Sequence, residues 1–244
     1  MLDWYAHLAD RHQLPMDAAT ALDERGFAIL PGPVLPHAMT RLANDYEAAF
    51  ASARGEDIRV GSTTTKLSDP AGFGRVFDEL VVFPPLLEAC CRVIGQSFKL
   101  SSFMGRTLRA GSPSQELHVE VGRDSADWPL LGFILMVDDF RPDNGATRLV
   151  PGSHRLIETP EETMRDVRAD HEQQTLACAA AGSLLVFNGS SWHGHTANTS
   201  HGPRRSIQGA FIPRNGQAAT DFAARLPAET RSRLSPLARH VLAL

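Results

Sequence analysis

Cysteine is scarce in this sequence: the 244 residues hold three, Cys90, Cys91 and Cys178, and two of these are neighbours. No disulfide framework is readable from such spacing, and a reducing cytoplasm is the expected compartment. A basic excess is missing too, with 24 Lys plus Arg against 28 Asp plus Glu and a formal charge of -4. Chains that bind nucleic acid through its phosphates carry surplus positive charge, so nucleic acid is not an expected partner. No apolar run approaches the ~20 residues of a bilayer span, which argues against a membrane partner. The opening MLDWYAHLADRHQL has neither the charged nor the apolar region of a secretory signal. Internal repeats and low-complexity linkers are also lacking, so residues 1–244 are expected to form a single domain. A compact body of this size buries roughly 72% of its unfolded surface, enough to enclose an internal site without disulfide or metal staples.

What the chain does have is a change of pattern near residue 96. Before it, residues 1–95 read mainly as helix. In LPHAMTRLANDYEAAFASA, Leu35, Met39, Leu42, Tyr46 and Phe50 fall at steps of three and four, one face of an amphipathic helix with Pro36 in its first turn. A short helix stopped near Gly26 and a strand through Phe27, Ile29 and Leu30 precede it. PPLLEACCRVIG predicts another helix, opened by its prolines and closed by Gly95. The stretch RGEDIRVGSTTTKLSDPAGFGR between the helices, rich in Gly, Ser, Thr and charge, reads as a mobile loop.

From about residue 96 to 213 the chain breaks into short runs that alternate apolar and polar residues or are wholly apolar: SFKLSSFMGRTLRA, LHVEV, LLGFILMVDDF, RLVPGS, GSLLVFN and RRSIQGAFIP. Turn residues bound them and helical patterns do not separate most of them, which predicts an antiparallel sandwich or barrel. LIETPEETMRDVRADHEQQT is too long and polar for a hairpin loop and reads as an insertion on the rim. Residues 214–244 read as a helical tail packed outside. The fold class is therefore mainly β with flanking helices.

The sequence also holds ten histidines, and they are not alike. In QELHVEV, a period of two puts Leu117, Val119 and Val121 on one strand face and His118 with Glu120 on the other. An imidazole and a carboxylate two residues apart on one face are placed to bind a divalent metal. GSSWHGHTANTSHGPRRSIQ adds His193 and His195 just after an apolar strand. Two imidazoles and one carboxylate make the facial triad of non-haem Fe(II) oxygenases, which leaves positions open for substrate and O2. Arg204 follows His193 by eleven residues across a turn-rich segment, so a hairpin is expected to return it near the histidine. Arg204 and Ser206 then share one strand face, a fork of donors beside a hydroxyl that suits a carboxylate. Such a triad with an inward Arg-x-Ser is what a 2-oxoglutarate-dependent oxygenase needs. Arg205, between them, is expected to face the opposite way.

LHVEVGRDS, LMVDDFRPDNGATRLVPGSHR and GSLLVFNGSSWHGHTANTSHGPRR together resemble the phytanoyl-CoA dioxygenase-like (PhyH) family of Fe(II)/2-oxoglutarate oxygenases. LDERGFAILPGPVLPHAMTRL is similar to the family's opening helix-strand-helix, so the resemblance spans roughly residues 20 to 213. It implies a double-stranded β-helix (jelly-roll, cupin-like) core, with Fe(II) held by His118, Glu120 and His193. It implies 2-oxoglutarate with its far carboxylate on Arg204, and contacts from Thr147 and Gln115; Ser206 is the neighbouring candidate. The family's spacing to arginine favours His193 over His195 as third metal ligand. Two positions depart from the family: Glu120 stands where aspartate is usual, and His195 where serine is frequent. A carboxylate at residue 120 also argues against a halogenase, which keeps a small residue there.

The implied reaction is oxidation, chiefly hydroxylation, of a C–H bond in a small molecule with release of succinate and CO2. A cupin-type metal protein with other chemistry and an inactive binding homologue are the alternatives. His154 is expected to pin its loop, Asn144 and Gly145 to build a turn, and Trp192 to pack behind the site. The loops at about 55–75, 122–130 and 155–175 are expected to select the substrate, and the active form to be a monomer or homodimer.

Overall fold

The computed structural model describes residues 3–244. Its helices are α1 (Trp4–Ala9), α2 (Met16–Arg25), α3 (Met39–Ser52), α4 (Gly74–Leu80), α5 (Pro84–Ile94), α6 (Pro160–Thr163), α7 (Phe222–Arg225), α8 (Ala228–Arg233) and α9 (Pro236–Val241). The ends follow local chemistry. α2 and α5 stop at Gly26 and Gly95, both left-handed (φ +87° and +69°), whose N–H groups return to Leu22 and Cys91 carbonyls. Pro84 opens α5, where a missing N–H costs nothing. α3 starts later than its periodicity predicts: Pro36–Ala38 form a 3-10 turn, and Leu35 stays exposed.

The strands are β1 (Phe27–Pro31), β2 (Ile58–Val60), β3 (Thr64–Leu67), β4 (Phe98–Leu108), β5 (Leu131–Met136), β6 (Thr147–Leu149), β7 (Thr175–Ala177), β8 (Ser183–Asn188), β9 (His193–His195) and β10 (Arg204–Pro213). They form a seven-stranded sheet in the order β1-β8-β5-β10-β4-β3-β2 and a three-stranded sheet, β7-β6-β9. Every pairing is antiparallel, and the strands make a double-stranded β-helix with helices laid on the larger sheet.

The two faces of the large sheet have different partners. Phe103, Phe133 and Phe211 pack with Tyr46, Phe77 and Leu86 in the main core between sheet and helices. Full burial of each such side chain contributes about 1.5–3 kcal/mol. Ile134, Met136 and Phe187 face inward and join Phe140, Leu149 and Ala177 between the two sheets. No described helix is long and apolar enough to cross a membrane.

Three sequence expectations are corrected. The expected mobile loop is instead an ordered hairpin, with β2 and β3 extending the large sheet beyond β4. Ile58, Val60, Thr64 and Thr65 supply the β-branched residues that suit strands, and the Gly61 N–H closes the turn on the Thr64 carbonyl (2.8 Å). LHVEV does not form a regular strand. Only His118 pairs in ladder fashion, with His193, while Leu117 and Glu120 donate to the carbonyls of Val167 (2.8 Å) and Gly189 (2.8 Å). The link from β9 to β10 is not a hairpin either, because β9 belongs to the small sheet and β10 to the large one.

Candidate active site

Between the sheets lies a cavity of about 280 Å³ reached by His118, Glu120, His193, Gln115, Thr147 and Arg204. Residues from four separate stretches of sequence thus meet in one space. Ser206 does not line it: its buried hydroxyl donates to the Arg106 carbonyl (3.3 Å).

The reciprocal pair His118 N–H to His193 carbonyl and His193 N–H to His118 carbonyl (both 3.0 Å) brings the two imidazoles together, with ring centroids 4.4 Å apart. Each ring is fixed at Nδ1. That nitrogen lies 3.0 Å from the Glu116 carbonyl in His118 and 2.9 Å from the Ser191 carbonyl in His193. A carbonyl can only accept, so Nδ1 carries the proton and Nε2 keeps its lone pair. Both Nε2 atoms then point toward Glu120, whose Oε1 lies 4.0 Å from His118 and 3.4 Å from His193. One ligand atom from each residue falls within 4.8 Å of the others.

The ionisation states suit a cation. The His193 imidazole holds the Glu120 carboxyl down at about 2 through their short contact, against an opposing effect of burial. Burial, and then His193, lower the His118 pKa. Glu120 is thus a carboxylate at neutral pH, and the hydrogen bonds at Nδ1 leave the Nε2 atoms of His118 and His193 as the ligand atoms that face it. This donor set fits Fe(II), which takes imidazole and carboxylate in this combination.

Arg204, at the start of β10, is 2% exposed and lies with its guanidinium 4.1 Å above the Phe140 ring. Its Nε is buried with no hydrogen-bond partner. Burial, then repulsion from Arg106, push its pKa down to about 9, still charged at neutral pH. A buried cation with unused donors fits a carboxylate ligand. Arg205 faces the other way, as alternation requires, and pairs with Asp138 and with Glu47 (2.9 Å).

His195 lines the same cavity but is not in the three-residue group. Its Nδ1 bonds the Thr196 carbonyl (2.8 Å), and burial lowers its pKa to about 4, so it is neutral. It pairs across the small sheet with Thr147. Gly194 between the histidines is required by space, since a Cβ there would lie 2.8 Å from the Glu116 carbonyl oxygen.

The surrounding loops match their sequence reading in several places. His154 is buried and its Nε2 lies 3.1 Å from the Asp23 carbonyl, tying the loop to α2. Asn144 accepts from Arg141 N–H and donates to the Asp139 carbonyl, both at 2.8 Å, and Gly145 takes φ +81°. Trp192 packs with Leu117 and Val150 and donates to the Glu158 carbonyl (3.2 Å).

Sequence reasoning missed three arginine and lysine positions. Arg148 is fully buried and donates to the carbonyls of Gln115 (2.6 Å), Val167 (3.2 Å), Arg168 (3.3 Å) and Ala169 (2.9 Å), which holds the rim insertion against the site. Arg106 and Lys66 line the cavity. Alternation in SFMGRTL was the available signal for Arg106, since Ser102, Met104 and Arg106 share the cavity face of β4. Lys66 gave no signal because its strand was read as loop.

Comparison with known proteins agrees with this geometry. The profile of the phytanoyl-CoA dioxygenase (PhyH) family matches residues 22–206. Among curated relatives, the dioxygenase aneA of Aspergillus aculeatus is 24% identical over 91% of this chain and 80% of its own length. The Fe(II)/2-oxoglutarate-dependent dioxygenase nvfF of Aspergillus novofumigatus is 27% identical over 91% of this chain and 79% of its own. Among solved structures, HygX from Streptomyces hygroscopicus, with nickel and 2-oxoglutarate bound, superposes with a TM-score of 0.67 at 19% identity, covering 88% of this chain and 95% of HygX. The carbocyclase SnoK from nogalamycin biosynthesis gives 0.67 at 16% identity over 92% of both chains. The fold, the donor set and the family match lead to one conclusion: the chain belongs to the phytanoyl-CoA dioxygenase (PhyH) family of Fe(II)- and 2-oxoglutarate-dependent dioxygenases.

Proposed function

We propose that this dioxygenase hydroxylates a C–H bond of a small-molecule metabolite, with iron on His118, Glu120 and His193 and the far carboxylate of 2-oxoglutarate on Arg204. The observation that carries the reading is the pairing, on one cavity, of three convergent lone-pair donors with a buried arginine whose Nε has no partner. When bound, iron and 2-oxoglutarate supply the oxidising power, with O2 consumed and succinate and CO2 released.

The chain's own residues bind and orient. His118 and His193 present Nε2 because Glu116 and Ser191 carbonyls hold Nδ1. Arg204 offers a charge-assisted fork to the cavity, with its guanidinium over the Phe140 ring. Thr147 and Gln115 line the same cavity, and in this reading they are the further polar contacts of the keto acid. His195, neutral and fixed by Thr196, adds a polar wall without adding charge. Glu120 is anchored by its own N–H on the Gly189 carbonyl, so its longer side chain reaches the imidazoles from a fixed backbone.

Two solved relatives are described with small molecules bound, HygX with hygromycin B and SnoN with nogalamycin RO, which supports a small-molecule substrate here. The test is a metabolite screen for compounds that stimulate succinate formation from 2-oxoglutarate, with oxygenated product identified by mass. Stimulated succinate matched by a product 16 mass units heavier is expected; a product lighter by two would assign desaturation, and succinate-free turnover would refute the reading.

A further inference from the structure

The face of the large sheet that looks into the cavity changes character along its strands. Arg106 on β4 lies opposite Lys66 on β3 and Ser206 on β10, so the cations of this face gather toward the Arg204 end. Two residues further along each strand, the row is Met104, Gln208 and Ile134, and the next is Ser102, Ala210 and Gly132. All six line the cavity, and none is charged. Neighbouring hydroxyls on the same strands are used, Ser206 toward the Arg106 carbonyl (3.3 Å) and Ser101 toward the Ala219 N–H (3.0 Å). The Ser102 hydroxyl and the Gln208 amide, in contrast, meet no side-chain hydrogen-bond partner among the described residues.

The metal group stands over the uncharged end. Phe187 pairs with Gly132, where a Cβ would overlap its ring, and that ring lies 4.6 Å from the His193 imidazole. Glu120, 3.4 Å from the same imidazole, has a side chain 47% exposed, so the cavity opens beside the metal group. From Arg204 to Ala210 is six residues, about 20 Å along the strand. An extended arginine side chain and a five-carbon keto acid are each about 7 Å long, two strand residues apiece, so together they stop short of the last row.

We propose that Gln208 and Ser102 recognise an uncharged oxygen group on the substrate, a hydroxyl or a carbonyl, which makes the substrate a neutral molecule. This rests on the functional reading above and adds the substrate class to it. Gln208 and Ser102 are diagonal neighbours across the β4–β10 ladder, with Cβ atoms about 7–8 Å apart, a gap that one oxygen bridges. The amide and the hydroxyl each offer a donor and an acceptor, so the pair serves a hydroxyl or a carbonyl. An ionised group there would meet no opposite charge in either row, and desolvating it without one is costly. Met104, Ile134 and Phe187 supply apolar surface for the rest of the molecule.

The test uses the full chain with Fe(II) and saturating 2-oxoglutarate under argon, titrated separately with cyclohexanol, methylcyclohexane, cyclohexanecarboxylate and cyclohexylammonium. The four probes share a ring and differ in the group it carries. Binding is read from the visible absorption of the iron complex and from Tm. Cyclohexanol is expected to bind most tightly of the four. Gln208→Leu is expected to weaken it about tenfold, and Ser102→Ala, which removes only a hydroxyl, about threefold or more. Methylcyclohexane and 2-oxoglutarate are each expected to move by less than about threefold in both variants.

Tighter binding of the carboxylate or the ammonium overturns the neutral class, and cyclohexanol affinity unchanged in both variants overturns the residue assignment. An equal loss of methylcyclohexane overturns it too, by showing that the variants reshape the cavity rather than remove a hydrogen bond. A rise of about tenfold in the 2-oxoglutarate Kd would assign Gln208 to the co-substrate and has the same effect. If the parent gives no iron band that depends on 2-oxoglutarate, the functional reading fails instead. The Tm response to the four probes in parent and variants then still decides whether Gln208 and Ser102 take an uncharged oxygen group.

Discussion

Replacing Arg204 by methionine separates the cost of this residue from its use. Its folded pKa of about 9 lies well below the ordinary arginine value, so both folded and unfolded chains hold the proton at pH 7 and the cost of burying the charge is fully present. At about 1.4 kcal/mol per unit, that cost is on the order of 5 kcal/mol. The stacking on Phe140 offsets roughly 2 kcal/mol of it. Methionine keeps most of the apolar stem, so Arg204→Met is expected to stabilise the protein without 2-oxoglutarate by about 2–3 kcal/mol. The assay is urea unfolding under argon with Fe(II), with and without 2-oxoglutarate at about 100 times its Kd. Under those conditions a bound ligand adds about 2.7 kcal/mol to the parent. The variant is expected to gain nothing from the keto acid and to have the higher midpoint without it. A variant that is clearly less stable than the parent without ligand, or that gains as much from 2-oxoglutarate, refutes the argument.

Further outcomes follow from other residues. Arg148→Met leaves several carbonyls unpaired and is expected to cost about 3–5 kcal/mol in urea unfolding, with faster amide exchange over residues 165–175; unchanged exchange would show that Arg148 does not hold the insertion. Gly145→Ala puts a Cβ onto Leu108 Cδ2 at a left-handed position, so a loss above about 1 kcal/mol is expected, and a neutral result would mean that the turn rearranges freely. Burial lowers the His154 pKa, so the unfolded chain takes up its proton first, and stability is lost as pH falls through about 6.5. His154→Gln is expected to make stability fall less steeply between pH 7 and 5; an unchanged slope would remove His154 from the acid response.

The legible parts of the sequence were those where neighbours along the chain decide the outcome. Helix α5 follows from its prolines, its apolar spacing and Gly95, and the faces of β4, β5 and β10 follow from period two. His118 and Glu120 share a face in an extended segment, although Gly189, His193 and Val167, not one partner strand, supply its hydrogen bonds. What escaped depends on contacts distant in sequence. Thr64–Leu67 became a strand because the free edge of β4 was available to pair with it, and that edge is invisible in RGEDIRVGSTTTKLSDP. Arg148 looks like any strand arginine until the rim insertion folds back and offers its carbonyls. Arg204 was placed correctly on an inward face, but the route that takes it there is a crossing between sheets, which turn residues alone do not distinguish from a hairpin.

The central claim, that His118, Glu120 and His193 hold the iron that 2-oxoglutarate joins, is tested most directly by visible absorption under argon. Fe(II) alone and 2-oxoglutarate alone are expected to leave the protein colourless. Together they are expected to give one charge-transfer band that saturates at one iron per chain and disappears in Glu120→Ala and His193→Ala variants that still melt cooperatively. An undiminished band in either folded variant, or no band in a parent protein shown to bind both iron and 2-oxoglutarate, would contradict the assignment.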